Sequence, residues 1–402
     1  MSPSKTHTAI SSLSLKHFDA VQVPTPTPSE GEVLIKVAYA AMIAFDTYVN
    51  DLGYHATFPM TFGFNSSGTI AEVGSGIEDL KVGDRVTAFS FRSSESKGMQ
   101  EFTLQKRSVT AKIPDSVSLE AAAGVPDNFI TAYNSLFNPE YLGLPYPTSF
   151  PSPQSPPLAN APILIYGAGS TTGHYAIQLL HSAGYKNILA TASPKHHEYL
   201  RSLGATHTFD YSSLTLIEDV QSVVTASEGG KLNLVLDCIT AQTTMAAISK
   251  MVSTEGTVAV LLPLKIGSKV RSDESDEMYL DIPDELNPLP KGTKLAGVRT
   301  FLFEQVPYMK DNLMTRILPT LLETKIIQPT KIRLLDESYG SLKDRVEVGL
   351  DLLRNNKVSG EKVHCESRVG KTAVSLLVGV CLLASLTRLE TSSERPWIHP
   401  NS

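Results

Sequence analysis

Ile163 to Leu180 reads ILIYGAGSTTGHYAIQLL. The apolar run Pro162 to Tyr166 suits a strand buried on both faces. A glycine-rich turn follows, with the spacing Gly167-x-Gly169-x-x-x-Gly173, one residue longer than the usual dinucleotide fingerprint. Beyond it Ala176, Leu179, Leu180 and Ala183 share one face of a helix. Glycines let the backbone approach a pyrophosphate, and a helix start offers unpaired N–H groups and the positive end of a dipole. Strand, turn and helix in this order predict a nucleotide-binding unit.

Downstream the pattern repeats. Ile188 to Ala192 (ILATA) reads as the next strand and Pro194 to Leu203 as a helix. His207 to Tyr211, Asn233 to Cys238 and Gly256 to Leu262 supply three more strands, with helical stretches between. Buried strands alternating with helices predict an α/β fold with a doubly wound parallel sheet. Cofactor choice is read at the end of the second strand, where an acid would select NAD through the ribose 2′-hydroxyl. Here the run is Ala192-Ser193-Pro194-Lys195-His196-His197, with no acid before Glu198. Ser193 and Lys195 can bond a 2′-phosphate, so NADPH is the expected cofactor.

Upstream, Gly143 to Pro162 holds seven prolines and is expected to be an extended surface loop, neither helix nor central strand. The first 120 residues read as short strands. Glu32 to Ala40 alternates Val33, Ile35 and Val37 on one face, Thr69 to Val73 continues in that style, and Val82-Gly83-Asp84-Arg85-Val86 is a turn feeding another strand. Residues 295–364 return to mixed helix and strand.

The chain has 402 residues, 42% hydrophobic and 19% charged, enough for two or three domains with sizeable cores. Lys plus Arg is 35 and Asp plus Glu 41, a net charge of −6 that argues against a general nucleic-acid binder. Cys238, Cys365 and Cys381 form no C-x-x-C pair, which excludes a four-cysteine zinc site and a disulfide scaffold. No secretory signal opens the sequence, so a cytoplasmic location is expected. Thr372 to Leu386 is a stretch of 15 uncharged residues, below the roughly 17 needed to span a bilayer. A membrane association is therefore not expected, and residues 365–402 read as a tail anchor, a packed helix or a non-native extension. Asp273 to Glu285 carries seven acids and no base, a solvated loop or a docking patch for a basic partner.

Two further stretches carry a family likeness. Gly63-Phe64-Asn65-Ser66-Ser67-Gly68-Thr69-Ile70-Ala71-Glu72-Val73-Gly74, followed by Val82-Gly83-Asp84-Arg85-Val86, resembles the signature of the medium-chain dehydrogenase/reductases, and the dinucleotide segment lies where that family has it. The resemblance covers roughly residues 8–364. It implies a GroES-like, mostly β catalytic domain at 8–125, completed by 299–364. A Rossmann NADP-binding domain would occupy 126–298, carry the Pro-rich loop 143–162 and leave the active site between the two.

Zinc alcohol dehydrogenases of that family hold the metal with a Cys in the first motif and a His-Glu after the glycine of the second. This chain has Asp46 and Phe64-Asn65 there and lacks the four-cysteine lobe, so soft ligands for such a zinc are missing. Simple alcohol oxidation is disfavoured without that Lewis acid. The sequence is similar to the zinc-free branch of quinone oxidoreductases and enoyl reductases. Phe45-Asp46-Thr47-Tyr48-Val49 resembles the D-T-Y segment of the quinone reductases. The prolyl loop, Leu142 to Pro145, Ala190 to Pro194 and Phe209-Asp210-Tyr211 look like fungal reductases of secondary-metabolite clusters, a group that includes trans-acting enoyl reductases serving polyketide synthases. Those usually carry lysine where this chain has Tyr48.

The resemblance assigns roles. Ser170, Thr171, Thr172 and Gly173 would hold the pyrophosphate, and Ser193, Lys195 and Tyr211 the 2′-phosphate. Thr131 would reach the nicotinamide ribose. Val260 and Leu261 would present backbone to the carboxamide, and Lys362 would lie where the last strand closes over the cofactor. Tyr48 is the candidate hydrogen-bond or proton donor; Asp46 is expected to brace its turn, and the lone His55 and His174 are not expected to act. The implied activity is hydride transfer from NADPH to an activated C=C or a quinone, with a small-molecule or carrier-bound acceptor. A polyketide synthase partner, a non-catalytic nucleotide-binding redox module, and homodimer or monomer all remain open.

Overall fold

The computed structural model describes residues 5–227, 229–268 and 275–367. The stretch quoted first forms strand Ile163–Tyr166 and helix Thr171–Ser182. The turn between them works because Gly167 sits at φ 72°, a left-handed conformation that side chains disfavour. Ser170 then caps the helix, its hydroxyl accepting from the Gly173 amide at 3.1 Å, worth about 1 kcal/mol.

Six parallel strands form one sheet in the spatial order His207–Asp210, Ile188–Ala192, Ile163–Tyr166, Leu234–Asp237, Thr257–Leu261, Lys294–Val298. By chain order this is third, second, first, fourth, fifth, sixth, the doubly wound order of a Rossmann sheet. Winding reverses between Ile163–Tyr166 and Leu234–Asp237, so a crevice opens at the carboxyl ends of those two strands. Both faces are covered. Helices Pro126–Phe137 and Thr171–Ser182 pack on one side; Leu216, Val220 and Val224 of helix Leu216–Ala226 meet Leu164, Val235 and Val258 on the other.

The helix expected over 194–203 is broken into a 3₁₀ turn, Pro194–His196, and an α-helix, His197–Ser202. A short bond from the His196 amide to the Ser193 carbonyl, 2.9 Å, tightens the first turn. Between Phe137 and Ile163 there is no helix or strand, although Leu142 and Leu144 reach the core.

The second sheet has seven strands. Glu32–Met42 is its centre, pairing antiparallel with Asn65–Val73, Phe102–Lys106 and Glu361–Glu366. Arg85–Phe89 and Thr110–Lys112 extend one side, and Lys331–Leu335 lies parallel to Glu361–Glu366 on the other. The N-terminal and C-terminal portions of the chain thus share one mostly β layer. A smaller sheet of Thr6–Ser14, His17–Pro24 and Met60–Thr61 flanks it.

The last strand runs through Glu366, and the Ser367 amide bonds the Ala38 carbonyl at 2.9 Å. The rest of the expected tail, including the apolar stretch 372–386, lies outside the described residues. Among the described residues no helix is long and apolar enough to cross a membrane. Of the acidic run, Met278–Tyr279 pairs with Leu264–Lys265, and Asp281 meets Arg299 at 2.5 Å.

Candidate active site

A cleft of about 670 Å³ opens at the winding reversal and extends to the edge of the seven-stranded layer. Of the residues predicted from sequence, Tyr48, Thr131, Ser170, Thr171, Thr172, Leu261 and Lys362 line it. Gly173 lies under the turn. A Cβ there would stand 2.6 Å from the Ala168 backbone, so only glycine lets the helix start sit this close to the strand end. Val260 is fully buried on the far face of its strand, whereas Leu261 faces the cleft, as alternation along a strand requires. The Leu261 amide donates to Thr240 Oγ1 at 2.7 Å.

Ser193 and Tyr211 follow two strands whose last residues, Ala192 and Asp210, are in register, so they stand side by side beyond the turn. Tyr211 is 54% exposed, and Lys195 is exposed with no acidic partner among the described residues. Open hydroxyls and a free ammonium at that corner fit a dianionic phosphate. Gly169 leaves a concavity above the helix start, where a Cβ would meet the His196 ring at 3.1 Å. The chemistry of this corner fits a phosphorylated dinucleotide.

The turn is held by residues that the sequence reading missed. Asn128 Oδ1 accepts from Thr171 Oγ1 at 2.7 Å and from Lys362 Nζ at 2.8 Å, while Asn128 Nδ2 donates to Thr172 Oγ1 at 2.9 Å. Lys362 also forms a buried ion pair with Asp127. Thr131 Oγ1 donates to the Asp127 carbonyl at 2.6 Å and meets Thr300 Oγ1 at 2.9 Å. The one signal was Pro126-Asp127-Asn128 opening a helix, which reads as an ordinary N-terminal turn. The threonine hydroxyls therefore position the turn, leaving the first-turn amides to face a ligand.

Tyr48 is carried on helix Ala44–Leu52, buried, with its ring 5.9 Å from Phe45 and 6.3 Å from Tyr54. Asp46 braces that helix, accepting from the Ile43 and Gly63 amides at 2.9 Å each. Burial pushes its carboxyl up, against the pull of those amides and of Lys97. Lys97 was also missed. It is fully buried, its Nζ has no hydrogen-bond partner among the described residues, and burial drives the amine down while Asp46 holds it partly up. A third lysine, Lys265, lines the cleft while only 8% exposed; burial brings its amine to about 8 despite Asp237. His55 lines the cleft wall, and His174 is buried away from it against Tyr199.

The positions that would bear a zinc are filled otherwise. The Asp46 carboxylate is taken by two amides, Phe64 offers a ring, and a buried ammonium already stands beside both. Among the described residues no group of three or more His, Cys, Asp or Glu could hold a metal ion. This donor set does not fit zinc.

Residues 29–116 match the family described as "Alcohol dehydrogenase GroES-like domain" and residues 171–263 the one described as "Zinc-binding dehydrogenase". The chain is 35% identical to a trans-enoyl reductase of Aspergillus japonicus over 58% of its own length and 66% of that protein's. It is 31% identical to a trans-enoyl reductase of Alternaria alternata, over 61% of the chain and 69% of the relative. At 28% identity it matches the enoyl reductase component of the lovastatin nonaketide synthase of Aspergillus terreus over 87% and 94%. The chain thus spans less than two-thirds of the length of the first relatives it matches, 66% for the Aspergillus japonicus protein. Among solved structures, a mycobacterial protein complexed with NADPH superposes with a TM-score of 0.65 at 20% identity, covering 90% of this chain and 99% of that one. That likeness shows the fold.

Proposed function

The chain belongs to the medium-chain dehydrogenase/reductase family, and from that membership we propose that it is a zinc-independent, NADPH-dependent oxidoreductase of fungal-type secondary metabolism, passing hydride to an activated C=C bond or a quinone. One observation carries the reading: the nucleotide turn, the nicotinamide-side residues Thr131 and Leu261, and Tyr48 all open on a single cleft. Bound NADPH supplies the hydride from its nicotinamide ring. The amides at the start of helix Thr171–Ser182 hold the pyrophosphate, and Ser193, Lys195 and Tyr211 hold the 2′-phosphate. Thr131 holds the ribose. Lys362, fixed by Asp127 and Asn128, closes the last strand over that end.

As hydride arrives at the β-carbon, negative charge grows on the acceptor oxygen. A donor fixed in a water-poor cleft stabilises that charge most strongly. Tyr48 supplies the hydrogen bond, and it or a water passes the proton that completes the reduction. With no zinc to polarise an alcohol, reduction of conjugated acceptors is favoured over alcohol oxidation.

A second reading is supported by the names of the relatives: a trans-acting enoyl reductase taking a carrier-bound acceptor from a polyketide synthase. The test is NADPH oxidation by the purified chain against quinones, enones and enoyl thioesters, with NADH as control. Turnover with NADPH well above NADH is expected. Tight NADPH binding without turnover of free acceptors favours the carrier-bound reading or a non-catalytic redox module, and failure to bind either nucleotide overturns the proposal.

A further inference from the structure

Five of the chain's 14 phenylalanines line this one cleft: Phe45, Phe64, Phe89, Phe91 and Phe301. They come from four places in the sequence. Phe45 opens helix Ala44–Leu52, Phe64 follows the Gly63 turn, Phe89 ends strand Arg85–Phe89 with Phe91 just beyond it, and Phe301 lies in the turn after strand Lys294–Val298. Phe301 joins the others. Its centroid is 5.6 Å from Phe45, 5.9 Å from Phe64 and 5.5 Å from Phe91, and it stacks on Phe89 at 5.7 Å with 16° between the planes.

Rings that only glued the two layers together would be closed on every side. Phe64 and Phe89 are nearly so, at 3% and 1% exposed, but Phe45, Phe91 and Phe301 are only half-buried. All three line the cleft, Phe91 and Phe301 also bordering a second cavity beside Arg92 and Glu304. Aromatic faces are negative and edges positive, so such a wall favours a flat π system over an alkyl chain of equal area. Two cations stand against these rings: the buried Lys97, its Nζ 3.2 Å from the Phe64 centroid, and Arg92, 5.5 Å from the Phe91 centroid and paired with Glu304. Polar groups line the cleft as well, Asp127, Asn128 and Lys362 among them.

We propose that the acceptor carries an extended planar π system, an aryl or polyene group conjugated to the reducible C=C or quinone, seated among Phe45, Phe91 and Phe301. This rests on the reductase reading and specifies its substrate class.

The test compares pairs that share one reacting group: benzylideneacetone with heptenone, and naphthoquinone with benzoquinone. Binding of the non-reacting ketones benzylacetone and heptanone to NADP-loaded protein is measured in parallel by calorimetry. The aryl member is expected to lead by about tenfold in kcat/KM and in affinity, the discrimination that one or two ring contacts supply. Phe301→Ala should bring both ratios to within about threefold and Phe301→Trp should keep them, with circular dichroism and melting confirming that each variant folds. Ratios near one in the unaltered protein, or ratios that Phe301→Ala leaves in place, overturn the inference. Selective aryl binding with no turnover of any acceptor supports it while removing the reductase reading.

Discussion

Lys97 Nζ stands 3.2 Å from the centre of the Phe64 ring, and the same Phe64 lines the cleft. A cation over a ring face is attractive, but here the amine has also given up water without gaining a hydrogen bond. Its compensation is the ring on one side and the Asp46 charge on another. Ring, amine and carboxylate therefore depend on one another. Lys97→Met and Asp46→Asn should each lower stability by roughly 2–4 kcal/mol, because each leaves the other group buried without its counter-charge. The double variant should lose about 1–3 kcal/mol less than the sum. Urea unfolding of the four proteins measures this, and strictly additive losses would show that the two groups do not interact.

Lys362 carries a second buried pair. Lys362→Gln leaves the Asp127 carboxylate uncompensated and should cost about 3–5 kcal/mol in denaturant unfolding. It also removes a donor from Asn128, which holds Thr171 and Thr172. Asn128→Ala is therefore expected to weaken NADPH binding about tenfold by fluorescence titration while costing less stability. Unaltered binding would show that the turn is rigid without it.

Lys195 is the proposed phosphate contact, exposed and without an ion pair among the described residues. Lys195→Ala should weaken NADPH by about tenfold or more and leave NADH unchanged, since only the former carries the 2′-phosphate. Equal weakening of both nucleotides would place Lys195 elsewhere.

Tyr48→Phe keeps the ring and removes the donor. The single-turnover hydride-transfer rate should fall by about 100-fold, with acceptor binding changed far less. An unchanged rate would leave Tyr48 a packing residue.

Acid should destabilise the fold through two histidines. His174 is fully buried with neither ring nitrogen hydrogen-bonded among the described residues, and burial brings it down to about 4. Burial likewise brings His364 to about 3, its Nε2 lacking a partner among the described residues. An unfolded histidine titrates near 6.5. Below that pH the unfolded chain takes up protons that the folded chain refuses, so stability is full above about 6.5 and falls as pH drops towards 4. Each histidine adds up to about 1.4 kcal/mol per pH unit. Asp46 acts oppositely, since its raised carboxyl gains a proton in the folded state first. His174→Phe should flatten melting temperature against pH between roughly 4 and 6.5. A slope unchanged from the unaltered protein would show that His174 gains a proton without unfolding.

Much of this was legible because buried parallel strands write themselves as unbroken apolar runs. Ile163–Tyr166 and Ile188–Ala192 were found to within a residue. The glycine spacing was legible for a similar reason, since at Gly173 no other residue fits. The lysines were not. Lys97 lies in Ser93-Ser94-Glu95-Ser96-Lys97-Gly98, which reads as a solvated loop, and a lone lysine is exposed by default. Its burial follows from the Gly98 amide bonding the Gly63 carbonyl at 2.8 Å, a pairing across 35 positions that no local pattern announces. Val260 and Leu261 show the same limit: a continuous apolar strand does not reveal which side chain faces the cleft. Asn128 bonds residues more than 40 positions away.

The seven-stranded layer has a consequence for how the chain is made. Strand Glu32–Met42 leaves the ribosome well before its partner Glu361–Glu366, which is synthesised more than 300 residues later. At bacterial to eukaryotic elongation rates that gap lasts roughly 15–65 s. The dinucleotide unit is complete by Val298 and can fold inside that interval, while the Tyr39–Met42 edge waits with unsatisfied backbone groups. Nascent chains of this protein therefore carry an open strand edge while more than 300 residues are added, which is the window in which a chaperone would have to act.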